Sequence, residues 1–586
     1  MLSDFTARAA RTFPILGWLS RYDRATFGAD ALASLVTAIL LIPQSLAYAM
    51  LAGLPAEAGL YASIAPLIAY AMFGSSRVLA VGPVAVVSLM TAAAIGNLGL
   101  TDPAEQMAAA GALALLSGVF LAGFGLLKLG GIANFLSRPV IGAFVTASSI
   151  LIIFSQLGHI FGLRTTGSTL PEQILGLAQS LPQMNLAALI IGVGSLLLLV
   201  ASRYGLPAAT KHLGWPAPLA DAIQRGSPAI LVTLAITLAW SLNLQTAQSL
   251  PVVGALPASM PPLAFPLPPL PIWRELIGPA ALISLIGFVE SVSVGQSLAA
   301  RRRENVQPNR ELIGLGAANA AAALTGGYPV TGGLARSVVN ESAGAQTPFA
   351  GVFTALIILF VAALLTPAFY HLPKATLAAT ILIAIVKLTD FRGPWRAWKY
   401  SRADGAAAAL TLFGVLFLGV EVGLTIGVAV SIGLVLQRTM KPHWAEVGQV
   451  PGTHHFRNIH RHDVISSPHV ISLRVDAALY FANAQFLEHL LAEETASRPD
   501  VKDIVLVCPA VNFIDASALA SLRTINTRLD DAGVKLHLSE VKGPVSDLLQ
   551  SSGFYDELTG IVFLSQYAAM RTLDPDTTLA AEQAAE

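Results

Sequence analysis

Cysteine is almost missing from this sequence of 586 residues: Cys508 is the only one, so no internal disulfide framework can form. Charge is scarce too. Lys, Arg, Asp and Glu supply 12% of the residues, roughly half of what a soluble domain carries, so most of the chain cannot be solvated. The 35 basic and 35 acidic residues cancel, which argues against a general nucleic-acid binder. A cleavable leader is also lacking. Arg8, Arg11, Arg21 and Arg24 make the start mildly basic, but no signal-peptide run or cleavage site follows, and the first apolar helix must act as its own insertion signal. No nucleophile–base pair, phosphate-cradling loop or metal spacing stands out, so the chain does not read as an enzyme and implies no cofactor or metal.

Apolar residues are abundant, at 54%. Runs of roughly twenty recur from Ala31 to about Leu436, each long enough to cross a bilayer as a helix. The first seven candidate spans lie near 31–52, 57–73, 82–97, 107–127, 138–157, 185–201 and 228–244. Seven more lie near 278–298, 311–326, 334–344, 349–366, 375–388, 404–419 and 421–437. An even count puts both termini on one side, and charge fixes that side as the cytoplasm. The inner loops then hold Arg77, Lys128, Arg138, Arg203, Lys211, Arg225, the run Arg301–Arg303 and the cluster from Lys387 to Arg402. A Pro-rich loop, 250–271, links the two sets of seven outside. The expected division is 1–27 as a cytoplasmic lead-in, with Phe13, Ile15, Leu16, Trp18 and Leu19 on a surface helix, and 28–440 as an all-α polytopic membrane domain. Residues 441–465 read as a linker carrying His454, His455, His460 and His462. Residues 466–570 alternate strands and helices as a small cytosolic α/β domain, and 571–586 read as a disordered tail.

Two full charges stand inside apolar segments, Glu290 and Arg336. An ionisable group at that depth costs at least a few kcal/mol and normally faces a cavity or a partner. The third span of each half is interrupted: 75–84 reads Ser-Ser-Arg-Val-Leu-Ala-Val-Gly-Pro-Val and 326–337 reads Gly-Gly-Tyr-Pro-Val-Thr-Gly-Gly-Leu-Ala-Arg-Ser. Broken segments at matching places in two halves point to a transporter binding site. Helix N-termini offer free amides and partial positive charge, so two of them meeting beside Arg336 would attract a small oxyanion, with Ala335 and Ser337 allowing close approach. Val84 and Ala85 would face them from the first half. Glu290 shares a helical face with Gly287, Ser293, Val294 and Ser297, a small polar stripe that suggests a cavity wall. Unprotonated, it would neutralise Arg336; protonated, it would release Arg336 to the anion, so that proton and anion travel together. A static ion pair between two helices is the alternative. Gln44 and Tyr48, four apart beside Pro43, can donate to an oxyanion without adding charge, or can bond helix to helix.

Several of these segments resemble one family. Pro43-Gln44-Ser45-Leu46-Ala47-Tyr48-Ala49, Leu51 to Pro55, Gly59-Leu60-Tyr61, Val81 to Ala85 and the stretch from Gly287 through Tyr328-Pro329 to Ser337 are similar to the sulfate permeases (SulP), relatives of the animal anion exchangers that include prestin and pendrin. Arg474 to Ala484 and Phe513 to Leu519 resemble its STAS domain. The resemblance implies fourteen spans in a seven-plus-seven inverted repeat, a core and a gate domain, elevator-like transport and a homodimer in the bilayer of a bacterial inner membrane. It places the anion between spans three and ten, near one and eight, and so selects Gln44, Tyr48, Val84, Ala85, Ser293, Ala335, Arg336 and Ser337, with Glu290 as the coupling position. A Glu facing an Arg resembles the proton-coupled sulfate carriers. Sodium-coupled bicarbonate or C4-dicarboxylate transport, and an anion exchanger or channel, are the alternatives. Ser517, in an Asp-x-Ser loop, matches a phosphorylatable serine of related domains and otherwise caps the helix it opens. The resemblance to a STAS domain implies a cytosolic partner.

Overall fold

The computed structural model describes residues 15, 22–131, 137–163, 167–202, 217–256, 260–263, 265, 267–386 and 389–584. The chain forms two compact units, Met1–Ser431 and Ile432–Glu586. Of the expected N-terminal surface helix only Ile15 is among the described residues.

The first half of the membrane unit runs α1 (Arg24–Leu51), α2 (Ala56–Tyr61), α3 (Ala65–Phe73), β1 (Val81–Gly82), α4 (Ala85–Gly96), α5 (Pro103–Leu126), α6 (Arg138–Ile160), α7 (Leu170–Ser180), α8 (Leu186–Val200) and α9 (Ala217–Ser241). The second half runs α10 (Leu270–Arg302), α11 (Pro308–Leu324), β2 (Thr331–Gly332), α12 (Leu334–Ser342), α13 (Phe349–Phe360), α14 (Lys374–Ile385), α15 (Gly393–Tyr400), α16 (Arg402–Leu418) and α17 (Val420–Met440). A helix stands in every expected span. Among the described residues, seven are apolar and long enough to cross a bilayer, and four shorter apolar helices accompany them. The third and tenth spans are half-length. α4 has 12 residues and α12 has 9, about 18 and 14 Å at helical rise, so neither crosses hydrocarbon alone.

The packing repeats between the halves. α5 lies along α10 and α11, and its counterpart α13 lies along α1 and α3; α6 packs on α16 as α14 packs on α8. Two bundles result: one holds α1–α5 and α10–α13, the other α6, α8, α9, α14, α16 and α17. Small residues let these helices close. A Cβ on Gly118 would meet the Gly316 carbonyl at 2.9 Å, and one on Gly314 would meet the Gly74 backbone at 2.8 Å. Such contacts carry helix association in a bilayer, where apolar burial between helices gains little. α15 presents Trp395, Trp398 and Tyr400 outward, as an interfacial helix does.

The second unit holds a six-stranded sheet in the order β4–β3–β5–β6–β7–β8, built from β3 (Trp444–Gln449), β4 (Phe456–Asn458), β5 (Val470–Val475), β6 (Asp503–Val507), β7 (Lys535–Ser539) and β8 (Val562–Phe563). β5 to β8 are parallel and cross over through α18 (Ala484–Ser497), α19 (Ala516–Asp531) and α20 (Gly543–Ser551). Two expectations are corrected here. Residues 441–465 are not merely a linker: β3 pairs antiparallel with β5, and β4 extends the edge. The tail expected to be disordered, 571–586, is helical over most of its described residues: the end of α21 (Gln566–Leu573) and α22 (Pro575–Gln583) lie there. Asp574 caps α22 by accepting from the Thr577 amide, and also accepts from the Ser467 hydroxyl at 2.5 Å, while Ala581 is fully buried. Cys508 lies in this core, and burial pushes its thiol up to about 12.

Candidate functional site

β1 and β2 are only two residues each, yet they cross antiparallel, with Val81 opposite Gly332 and Gly82 opposite Thr331. That crossing brings the starts of α4 and α12 together. Neither start is capped by a side chain: Val84 and Gly333 hold the cap positions in extended backbone. The amides of 85–87 and 334–336 have no acceptor among the described residues, because helical bonding begins only at Ser88 and Ser337. Six free N–H groups and two helix dipoles therefore converge on one place.

Arg336 lies between them, only 3% exposed. Its Nη2 donates to the Pro83 carbonyl across the crossing, and its Nη1 has no hydrogen-bond partner among the described residues. Two glycines make room for the guanidinium. A Cβ on Gly82, where φ is +156°, would sit 2.5 Å from Nη1, and one on Gly333 would sit 2.5 Å from Nε. Glu290 and Tyr48 are half-buried and lie within electrostatic reach of Arg336, as does Tyr328. No ion pair joins Glu290 to Arg336, so the static-pair alternative has no direct contact behind it. Gln44 is half-buried on α1, and Ala335 is exposed at the start of α12, so protein does not seal this end of the helix.

The other expected residues fall differently. Val84 and Ala85 start α4 as expected and are nearly buried. Ser337 is fully buried, and its hydroxyl accepts from the Ala80 amide at 2.9 Å; it ties α12 to the strand before α4 instead of opening onto the site. Ser293 is one turn past Glu290 and lines a separate cavity of about 520 Å3 with Arg138, Gln296 and Asn309. Ser517 is exposed in the first turn of α19, but the cap is Asp515, which accepts from the Ala518 amide at 2.8 Å. Asp already supplies the accepting oxygen, so the expected capping role passes from Ser517 to its neighbour.

A frame of buried polar residues holds the crossing in place. Thr331 donates to the Gly287 carbonyl at 2.6 Å and meets Ser291 at 2.7 Å, and the Gly332 amide donates to Ser291 at 2.8 Å. Asn319 fastens Val330 at both its amide and its carbonyl, and Tyr328 reaches Ser88 at 3.2 Å. Glu311, wholly buried, accepts from Tyr70, from Ser75 twice and from the Ser76 amide, and so fixes the loop that enters β1. Sequence reasoning gave none of these residues a framing role. Glu311 carried the one available signal, a carboxylate inside an expected span.

Two broken helices meet start to start within a membrane bundle, with a buried arginine between them. The model of the sulfate permease family matches residues 27–411, and that of the STAS domain matches 462–569. This chain belongs to the sulfate permease family. The probable sulfate transporter 4.2 of Arabidopsis thaliana is 32% identical over 559 residues, covering 93% of this chain and 80% of its own. A probable sulfate transporter of Mycobacterium tuberculosis is 31% identical, covering 92% and 93%. In structure, murine solute carrier 26 family member A9, an anion transporter, superposes with a TM-score of 0.87 at 23% identity over 96% of this chain and 94% of that one. The transmembrane domain of a cyanobacterium bicarbonate transporter gives 0.58 at 20% identity, over 70% and 99%. This permease is thus a membrane-spanning anion transporter with a STAS domain, and its relatives are transporters, not enzymes.

Proposed function

We propose that this permease is a secondary active carrier of a small oxyanion, sulfate, coupled to protons. The observation that carries the reading is Arg336: a buried guanidinium with a free Nη1, set between two uncapped helix N-termini. A divalent tetrahedral anion matches that excess of donors and positive charge better than a monovalent one. Gln44 and Tyr48 would add neutral donors, while Val84, Ala85 and Ala335 would let the anion reach the amides. Glu290 is the coupling group. It acts on Arg336 through space and has no direct bond to hold it ionised, so its proton can arrive and leave with the anion.

Movement follows from the two bundles. The β1–β2 crossing joins both half-helices within one bundle, which would slide against the other as an elevator. By the positive-inside pattern the C-terminus of α10 and both chain termini would face the cytoplasm, and the resemblance implies a homodimer in a bacterial inner membrane.

The test is labelled sulfate uptake by the full chain in liposomes under an inward proton gradient. Saturable accumulation above equilibrium, inhibited weakly by bicarbonate and succinate and unaffected by sodium, is the expected result. Sodium-driven bicarbonate entry without sulfate flux would overturn the choice of substrate and of coupling ion, and purely dissipative flux would make the protein a channel.

A further inference from the structure

The cavity of about 520 Å3 beside α10 is lined by none of Arg336, Gly82, Val84 and Gly333. It opens between the two bundles, with Val289, Val292, Ser293 and Gln296 from α10 and Asn309 from α11 on one side and Arg138 at the start of α6 on the other. Gln296 lies six residues beyond Glu290, about 9 Å along the helix. The lining polar groups are donors or neutral: one guanidinium, two hydroxyls (Ser137, Ser293) and two amides. No acidic side chain lines it among the described residues. Arg138 is exposed and makes no ion pair or hydrogen bond among them, whereas Arg302 nearby in the sequence of charges is tied to Glu304 at 3.3 Å and to the Ala345 carbonyl at 2.7 Å.

A lone unneutralised cation in a concave, acid-free space focuses field and raises the local concentration of anions. Ser293 and Gln296 line the cavity, and Glu290, about one turn before Ser293 on α10, is within electrostatic reach of Arg336. We propose that Arg138 is a staging residue for the transported anion: it collects the oxyanion in this cavity and sets the apparent affinity on the face where α10 ends, with Ser293 and Gln296 passing the anion on. The inference rests on the carrier reading above, since a staging site has meaning only on a transport path. It also gives Ser293 its place, as a residue of the approach.

The experiment uses the full chain in liposomes of fixed orientation, with labelled sulfate and labelled chloride followed from each face. R138Q should raise KM from the α10 C-terminal face about fivefold and remove most of its dependence on ionic strength, with kcat nearly unchanged. KM from the opposite face should stay as in the parent, and R138K, which keeps the charge, should restore most of the loss. Equal changes on both faces, no change, or a fall in kcat that R138K shares would each overturn the proposal. A chain that carries chloride but not sulfate refutes the substrate reading while leaving the sided effect of R138Q to be read with chloride. Absence of flux for both anions refutes both.

Discussion

Gly82 and Gly333 decide where one guanidinium can lie. Each faces Arg336 at a distance where a methyl group cannot fit, so Gly82→Ala or Gly333→Ala must displace the charge or separate β1 from β2. Either change should lower sulfate flux at least about tenfold in a protein that still inserts and purifies, as measured in reconstituted vesicles. Arg336→Ala removes the charge itself. Sulfate affinity should fall by about ten- to a hundredfold and chloride affinity by clearly less, read as competition curves; equal losses would refute charge matching. Glu290→Gln keeps a neutral side chain of the same shape, so binding should persist while uptake loses its dependence on external pH between about 5 and 8. Uptake by the parent that ignores pH over that range would remove Glu290 from the coupling step.

At the scale of elements, the two-residue strands matter more than their length suggests, because Ser291 and Thr331 fasten them to α10. Thr331→Val leaves the shape and removes the hydroxyl's bonds to Gly287 and Ser291, at a cost of about 1–3 kcal/mol for two buried hydrogen bonds; a lower unfolding temperature with weakened anion binding is the expected pair of results. In the second unit, Asp574 holds α22. Burial would raise its carboxyl, but hydrogen bonds from Ser467 and Thr577 outweigh that and hold it below 3.8. A depressed carboxylate stabilises the fold above its ordinary range and loses that contribution as pH falls through its folded value. Protection of the amides of 575–583, taken relative to their unfolded exchange rate at each pH, should therefore fall on acidification below about pH 4, and Asp574→Ala should lower it at neutral pH. The broken third and tenth spans were legible because Gly and Pro interrupt apolar runs at matching places. Ser337 was misplaced because a serine in the first turn of a half-helix reads the same whether it meets a ligand or a neighbouring amide. β3 escaped because Trp444 to Gln449 follows a long helix and pairs with a strand 21 residues further on, beyond any local pattern. α22 escaped because its Ala and Glu content resembles an unstructured tail, although Asp574-Pro575 is a helix start.

For the whole molecule, the question is relative movement within the membrane unit. Asn97, which ends α4, donates to Glu421 at the start of α17 at 3.2 Å and so links the two bundles at the end opposite the Arg138 cavity. A moving core must break this contact. Cysteines placed at 97 and 421 and joined by a short bifunctional thiol reagent should arrest sulfate flux without impairing sulfate binding from the open face. Full flux in the joined protein would exclude sliding of one bundle past the other. The fold that permits such an experiment was visible at the level of spans and halves, since apolar length and loop charge report on membrane crossing. Which helices share a bundle was not visible, because Gly118, Gly314 and Gly316 pack through backbone contact that composition does not encode. The protein also comes prepared for this kind of measurement. Its single thiol is enclosed in the sheet domain and stays protonated, so thiol-reactive probes find the native chain silent. Every cysteine introduced into it reports alone, and no residue has to be removed first.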